Sequence, residues 1–284
     1  MIACRVRGQL RIRDLKVTNP VAVGDRVKYR IESDGKGNIL DILPRENYLI
    51  RRSARKSAHG HILAANIDQA VLVATLSFPR TSLGFIDRFL VAAESFRIPS
   101  VLVFNKSDRW DGGDRKRIAE LREVYGNAGV GFLEISALEG RQMEELRQYF
   151  RGKISLLAGH SGVGKSTILN CLAPGISQKT AEVSTFANKG VHATTFAEMF
   201  ELEPGTRLID TPGIKELGLI DFYDEEIHHY FPEIRAYFGK CRYYNCTHTH
   251  EPGCSVIAAV EEGKIAASRY RSYLSIVYEE DDRR

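Results

Sequence analysis

The sequence predicts an α/β protein with a mostly parallel sheet, preceded by a small basic all-β module and followed by a helical module. Three observations lead there. From about residue 65 to 210, apolar segments of strand length alternate with segments of helical spacing, as expected for strand–helix–strand units around a parallel sheet. Residues 1–60 instead show short segments broken by turn residues, and carry 14 Lys/Arg against 6 Asp/Glu. Beyond about residue 221 the pattern turns helical around a cluster holding three of the chain's five cysteines. The expected domains are 1–60, 61–221 and 222–284.

In the first module, Val27 to Ile31 and Ile39 to Leu43 read as strands, joined by a hairpin turn through Asp34-Gly35-Lys36-Gly37-Asn38. A small, basic, all-β unit suggests an OB-type barrel, a fold that commonly binds RNA or single strands. In the middle module, Gln69 to Thr75 is a buried apolar strand and Phe85 to Phe96 a helix. Val101 to Phe104 is a strand, Ile118 to Tyr125 a helix, Phe132 to Ile135 a strand and Met143 to Phe150 a helix. Ile154 to Ala158 and Arg207 to Ile209 complete the strands, with a helix over Ile168 to Leu172. Ligands of such sheets sit at the carboxyl ends of the strands.

The length of 284 residues suits two or three compact units. The net charge is +4, but the first 60 residues alone hold +8, leaving −4 on the remainder. A basic module on a mildly acidic body fits a polyanionic partner such as RNA or DNA; a solvated basic surface is the alternative. The arginine-studded N-terminus does not resemble a signal peptide, and no stretch approaches the roughly 18 apolar residues of a membrane helix. A cytoplasmic chain without a membrane partner, acting as a monomer, is expected.

The motifs lie at strand ends. Gly159-His160-Ser161-Gly162-Val163-Gly164-Lys165-Ser166-Thr167 follows an apolar strand and opens a helix, the context a phosphate loop requires. Glycines let backbone N–H groups cradle phosphate oxygens, and the helix N-terminus adds its dipole. Lys165 is expected to reach the β- and γ-phosphates and Ser166 to ligate Mg²⁺. Asp210-Thr211-Pro212-Gly213 matches a D-x-x-G switch, with Asp210 on Mg²⁺ through water and the Gly213 N–H sensing the γ-phosphate. Asn105-Lys106-Ser107-Asp108 selects guanine: Asp108 accepts from N1–H and the exocyclic amine, donors that adenine lacks. Asn105 braces the loop, the Lys106 stem packs on the base plane, and Ser136-Ala137 adds backbone contact to the base oxygen. That dipeptide is common and counts only in company.

Together these are the parts of a GTPase binding GTP or GDP with Mg²⁺, but the guanine motif precedes the phosphate loop, so the order is circularly permuted. Thr180 to Thr195 reads as a switch loop, with Thr194, or Thr195 as alternate, the Mg²⁺ ligand closing over the γ-phosphate. Ile214 stands where Ras-like enzymes place a water-orienting Gln. His192 is the nearest catalytic candidate, its alternative being a surface histidine. Slow intrinsic turnover with external activation is expected.

Cys241, Cys246, His248 and Cys254 offer three thiolates and an imidazole within fourteen residues, enough to close a structural tetrahedral zinc site. His250 rivals His248, and free or disulfide-bonded cysteines are the alternative.

A basic barrel, a permuted GTPase and a Cys-Cys-His-Cys module in that order resemble the ribosome small-subunit biogenesis GTPases of the RsgA family, also called YjeQ. The resemblance runs through Pro20 to Val27, Ala65-Asn66-Ile67-Asp68, the phosphate loop, Lys189 to Thr195, Asp210 to Gly213 and the four zinc ligands. It implies a circularly permuted P-loop GTPase domain flanked by an OB-type barrel and a mostly helical zinc-binding domain. It further implies that barrel and zinc module contact ribosomal RNA, that the subunit stimulates hydrolysis, and that hydrolysis releases the factor. Two departures stand out. Extra N-terminal residues usually supply the barrel's first strand, so an incomplete barrel lacking that strand, or a truncated chain, is expected here. Ala193 replaces the first of three threonines that usually follow the switch histidine. Rival readings are a large-subunit permuted GTPase, an RNA-binding chaperone that only senses nucleotide, and a zinc-dependent hydrolase.

Overall fold

The computed structural model describes residues 2–6, 17–53, 56–173, 197–211 and 224–278. In chain order the strands are β1 (Cys4–Val6), β2 (Val27–Ile31), β3 (Gly37–Ile42), β4 (Tyr48–Ser53), β5 (Lys56–Ala65), β6 (Gln69–Ala74), β7 (Ser100–Phe104), β8 (Gly131–Glu134), β9 (Ile154–Ala158), β10 (Glu198–Glu203) and β11 (Thr206–Asp210). The helices are α1 (Leu83–Ser95), α2 (Gly112–Asn127), α3 (Met143–Phe150), α4 (Lys165–Leu172), α5 (Pro232–Arg235), α6 (Ser255–Glu261) and α7 (Ala267–Val277). No helix among the described residues is long and apolar enough to cross a membrane.

The centre is a six-stranded sheet in the order β10-β11-β9-β6-β7-β8, parallel except for the edge strand β10. Side-chain alternation divides the core into two layers. Ala70, Leu72 and Ala74 of β6 join Leu102 and Phe104 of β7 on the face that also holds Phe89 of α1 and Tyr125 of α2. Val71 and Val73 point the other way, with Leu146 and Phe150 of α3 and Ile168 of α4. Because β6 is covered on both faces, all six of its residues are buried, which is why it reads as an unbroken apolar run.

Several boundaries differ from the sequence reading, two of them for a clear local reason. Helix α2 starts at Gly112, six residues before the apolar spacing begins, because Asp111 and Asp114 form a reciprocal capping box. Strand β3 starts at Gly37 rather than Ile39, because Gly37 pairs with Cys4 of β1. A Cβ on Gly37 would lie 2.4 Å from the Cys4 Sγ. The edge strand β10 has no counterpart in the sequence reading: Glu198, Glu201 and Glu203 interrupt its apolar Met199, Phe200 and Leu202, of which only Phe200 is buried.

The described N-terminal strands form a three-stranded ladder, β1-β3-β2, and a two-stranded ladder, β4-β5, with Val17 bridging to Gly60 of β5. This is the β-rich unit expected ahead of the GTPase domain. Strand β5 runs through residue 60 without a break, and Leu49, Leu63 and Ala64 share the core beneath α1. The Ala65 to Asp68 segment fastens the two units. Buried Asn66 donates to the Gly24 carbonyl at 2.9 Å and accepts from the Glu46 N–H at 2.9 Å. The Asp68 carboxylate accepts from the Ile154 N–H at 2.7 Å, at the start of β9. Gly24 is required here: its φ is +92°, and a Cβ would stand 2.0 Å from the Ala65 carbonyl oxygen. Beside it, Asp25 pairs with Arg45 at 2.6 Å, both side chains nearly inaccessible.

The C-terminal unit packs its own core, Phe231, Ile234, Val256, Tyr273 and Ile276, against Val91 of α1. Arg269 of α7 crosses the junction. Its guanidinium, 2% exposed, donates to Asp87 of α1 at 2.7 Å and to Glu233 at 2.6 Å. It lies 4.7 Å from the Phe231 ring, and Tyr125 also donates to Asp87, at 3.0 Å. Burial alone would lower the Arg269 pKa, but the two carboxylates outweigh it and raise it further above the usual range. Removing one member of a buried ionic group strands the others without compensation. Arg269→Ala is therefore expected to weaken docking of the C-terminal helices by about 3–5 kcal/mol, read as faster amide exchange in α7 while β6 and β7 stay protected.

Candidate nucleotide site and metal cluster

The loops after β6, β7, β8 and β9 and the end of β11 at Asp210 meet at one end of the sheet. The residues that separate the motifs in sequence are spanned by a few side-chain bonds. Asn105, 3% exposed, is the central one. Its amide donates to the Val163 carbonyl of the phosphate loop at 2.9 Å, and its carbonyl oxygen accepts from the Ala137 N–H at 3.0 Å. Gly164 closes on it: φ is +102°, and a Cβ would meet the Asn105 amide at 2.3 Å. Ser136 is wholly buried, and its hydroxyl donates to the Asp108 carboxylate at 2.5 Å. The two halves of the guanine loop are thus held together before any base is present. Lys106, with φ of +70°, reaches back over the phosphate loop and donates to the carbonyls of Gly162, at 2.7 Å, and Phe78. Burial, then neighbouring Arg109, lowers its pKa. Ser107 opens a single 3-10 turn and its N–H donates to the Ile135 carbonyl at 3.0 Å.

The phosphate loop leaves β9 through Gly159, whose φ is +148° and whose Cβ would fall 2.5 Å from the Val73 carbonyl oxygen. Val163 is fully buried and anchors the loop, whereas Ser161, Ser166 and Thr167 are exposed around the start of α4. Lys165 folds over the loop, donating to the carbonyls of Gly159 at 2.7 Å and His160 at 3.0 Å. Burial lowers its pKa, partly offset by Asp210. The His160 ring lies 3.9 Å from Phe85 of α1, and burial followed by Lys165 lowers its pKa.

Asp210 ends β11 beside this lysine. Burial pushes its carboxyl up to about 6, Lys165 pulls it down, and Glu198 raises it again. Its Oδ1 is buried and has no hydrogen-bond partner among the described residues. An ionised oxygen held this way is costly unless a cation balances it, which fits a hydrated divalent metal shared with Ser166. His192, Thr194, Thr195, Gly213 and Ile214 lie outside the described residues, as do Ala193 and Pro212.

The second cluster lies in the C-terminal unit. The ligand atoms of Cys241, Cys246, His248 and Cys254 all fall within 4.8 Å of one another. Cys241 Sγ and Cys254 Sγ are 3.9 Å apart, and each lies 3.5 Å from His248 Nδ1. Tetrahedral zinc with Zn–S near 2.3 Å separates sulfurs by about 3.8 Å, so the donor set and spacing fit that ion. His250 stands apart, with its ring on the Thr249 hydroxyl at 2.8 Å, so the imidazole of the group is His248.

Several supporting residues carried no sequence motif. Glu251 gathers the N–H groups of Thr247, Thr249 and His250 at 2.6–3.2 Å. Burial disfavours its charge, but these bonds outweigh it and hold its carboxyl well below the usual range. Tyr270 donates to the His248 carbonyl at 2.8 Å and Tyr273 to that of Thr247, tying the cluster to α7. A carboxylate inside a Cys/His loop was the one visible signal for Glu251; the tyrosines come from a distant helix and left none.

The described geometry agrees with the comparisons to known proteins. Residues 42–220 match the family model for the RsgA GTPase and residues 1–39 that for the RsgA N-terminal domain. The small ribosomal subunit biogenesis GTPase RsgA of Bacteroides fragilis is 47% identical over 99% of this chain and 91% of its own length. The chain belongs to the RsgA GTPase family. Among solved structures, YjeQ from Thermotoga maritima is 38% identical and superposes with a TM-score of 0.76, covering 99% of this chain and 90% of the other. YloQ, described as a circularly permuted GTPase, is 30% identical with a TM-score of 0.71, covering 100% of this chain and 87% of the other. As a member of this family the chain is a GTP hydrolase with a permuted fold, using GTP, GDP and Mg²⁺.

Two outcomes follow from the site. The Asp210 carboxyl is raised in the folded state, so its proton favours folding below its unfolded pKa of about 4. That contribution is lost as pH climbs through about 6. Asp210→Asn is expected to raise the melting temperature of nucleotide-free protein at pH 7.5 by about 3 °C, with no gain at pH 4, while metal-dependent GTP binding is lost. Differential scanning fluorimetry at the two pH values checks this. Chelation of zinc is expected to strip amide protection from residues 241–255 while β6, β7 and β9 keep theirs.

Proposed function

We propose that this GTP hydrolase acts late in maturation of the small ribosomal subunit, that the subunit stimulates hydrolysis, and that hydrolysis releases the factor. The observation that carries this reading is the near full-length identity to a protein named for small ribosomal subunit biogenesis. Ile214 supports the need for an external activator, since an isoleucine cannot orient an attacking water.

In the proposed cycle, Asp108 accepts the two guanine donors while Ser136 holds its other lone pairs, Ala137 offers backbone to the base oxygen, and the Lys106 stem covers the base. Gly159 to Thr167 enclose the phosphates, with the Lys165 charge on the β- and γ-oxygens. Ser166 and Thr194, or Thr195, are the protein ligands for Mg²⁺, with Asp210 acting through water and the Gly213 N–H reporting the γ-phosphate. Bound there, Mg²⁺ neutralises charge on the transferring phosphoryl oxygens. His192 orients the water when the subunit is bound. The four-ligand zinc site is closed and structural. Residues 1–60 supply the RNA-binding barrel, 61–221 the GTPase and 222–284 the zinc domain, and barrel and zinc domain contact ribosomal RNA. The factor works as a cytoplasmic monomer, and its binding to the subunit weakens with salt as phosphate contacts release counterions.

The deciding experiment is multiple-turnover phosphate release from GTP with small subunits, with large subunits, and alone. Stimulation of about tenfold or more by small subunits alone is expected. Equal rates in all three would sink the assembly reading in favour of a nucleotide sensor or another RNA partner. Asp108→Ala is expected to erase most of a GTP-over-ATP preference on the order of 10⁴, measured by competition for a fluorescent guanine nucleotide.

A further inference from the structure

A concavity of about 560 Å³ opens to solvent from the zinc cluster, whose Cys241, Cys246 and His248 line part of it. Its floor is aromatic: the rings of His228, His229 and Phe238 pack at 4.5–4.8 Å between centroids. Its rim carries Tyr243 and Tyr244 together with the Asn245 amide. Tyr244 is 102% exposed and Tyr243 43%. A fully exposed tyrosine beside a half-exposed one gains nothing in folding and presents flat apolar faces to water.

The electrostatic setting selects the occupant. Between Glu233 and Glu251 the chain carries Arg235, Lys240 and Arg242 and no carboxylate. All three cations are exposed; Arg235 is paired with Glu94 of α1 at 2.9 Å, which leaves Lys240 and Arg242 for a ligand's phosphates. Arg242 lies over the Tyr243 ring at 5.5 Å and Lys240 over Tyr237 at 4.9 Å, so two of the cations are already arranged along aromatic faces. An aromatic floor, a projecting ring, an amide that both donates and accepts, and cations outside fit an unstacked nucleobase with a phosphate on either side. An apolar peptide would leave the cations and the Asn245 amide unanswered. Zinc would take up only the part lined by Cys241, Cys246 and His248; His228, His229, Phe238, Tyr243, Tyr244 and Asn245 line the rest and are not among its ligands.

We propose that this concavity is a base-binding subsite of the zinc domain, which takes one unstacked base of single-stranded RNA against Tyr244. It rests on the RNA partner proposed above, and adds which atoms read the RNA and in what conformation. Specificity comes from the Asn245 amide on the base edge; affinity comes from stacking and from the cations on the flanking phosphates.

The test uses the full zinc-loaded chain and short RNA oligonucleotides carrying one 2-aminopurine, whose fluorescence is quenched when the base stacks. The parent is expected to quench the probe, and Tyr244→Ala to bind about tenfold more weakly without quenching. Tyr244→Phe, which keeps the ring, is expected to behave as the parent. Zinc content and circular dichroism of each variant establish that the domain is intact. Binding without quenching in the parent, or equal binding by parent and Tyr244→Ala, would overturn the subsite. So would Tyr244→Ala losing subunit binding while oligonucleotide binding is unchanged, which would assign the ring to a protein contact. Subunit-stimulated hydrolysis by the parent, run in parallel, separates the two proposals: quenching without stimulation sinks the assembly role and leaves the subsite standing, and stimulation without quenching does the reverse.

Discussion

The nucleotide site depends on the hydrogen bonding of one buried amide. Asn105 leaves the end of β7, donates to the phosphate loop after β9 and accepts from the loop after β8. A neutral amide is suited to this because it has donor and acceptor on one small planar group and carries no charge to desolvate. With the Ser136–Asp108 bond beside it, the guanine and phosphate halves of the site have fixed spacing. The permutation of the chain is then immaterial to the chemistry. Adjacent strands present the same loops at the same sheet edge whichever loop comes first in sequence, and the Asn105 bonds are formed in space.

The same economy governs the junction with the C-terminal unit. Helix α1 touches the phosphate loop through the Phe85–His160 ring contact near its start. Two residues later it contributes Asp87 to the buried Arg269 group, and a turn beyond that Val91 to the zinc-domain core. One short helix therefore bears on the nucleotide loop, the central sheet and the metal-bearing unit. A buried guanidinium is a costly fastening, but its planar donors set angle as well as distance, so it fixes how α7 sits on α1 more narrowly than apolar contact would. Tyr270 and Tyr273 carry that placement onward to the carbonyls of the zinc loop.

Much of this was legible from residues alone. The phosphate loop, the guanine motif, the Asp210 switch and the Cys/His cluster are chemical signatures at short spacing, and short spacing survives without tertiary information. The buried strands β6, β7 and β9 were equally plain, because coverage on both faces forces an uninterrupted apolar run. Edge strand β10 was not, because only one of its residues is buried and a half-solvated edge need not alternate cleanly. The start of α2 was missed because apolar spacing reports where a helix packs, whereas its N-terminus is set by the Asp111–Asp114 cap.

By itself, then, the sequence determined the chemistry and the order of the parts: which residues can cradle phosphate, select guanine or bind zinc, and that they lie in permuted order. Only the tertiary structure decided which of them are coupled. That Asn105 ties loops 32 and 58 residues away and that Arg269 meets Asp87 across 182 residues are facts of long-range packing. No local pattern encodes such pairs, because each partner alone is an ordinary polar residue. Only burial against the other turns a solvated charge or amide into an obligatory contact.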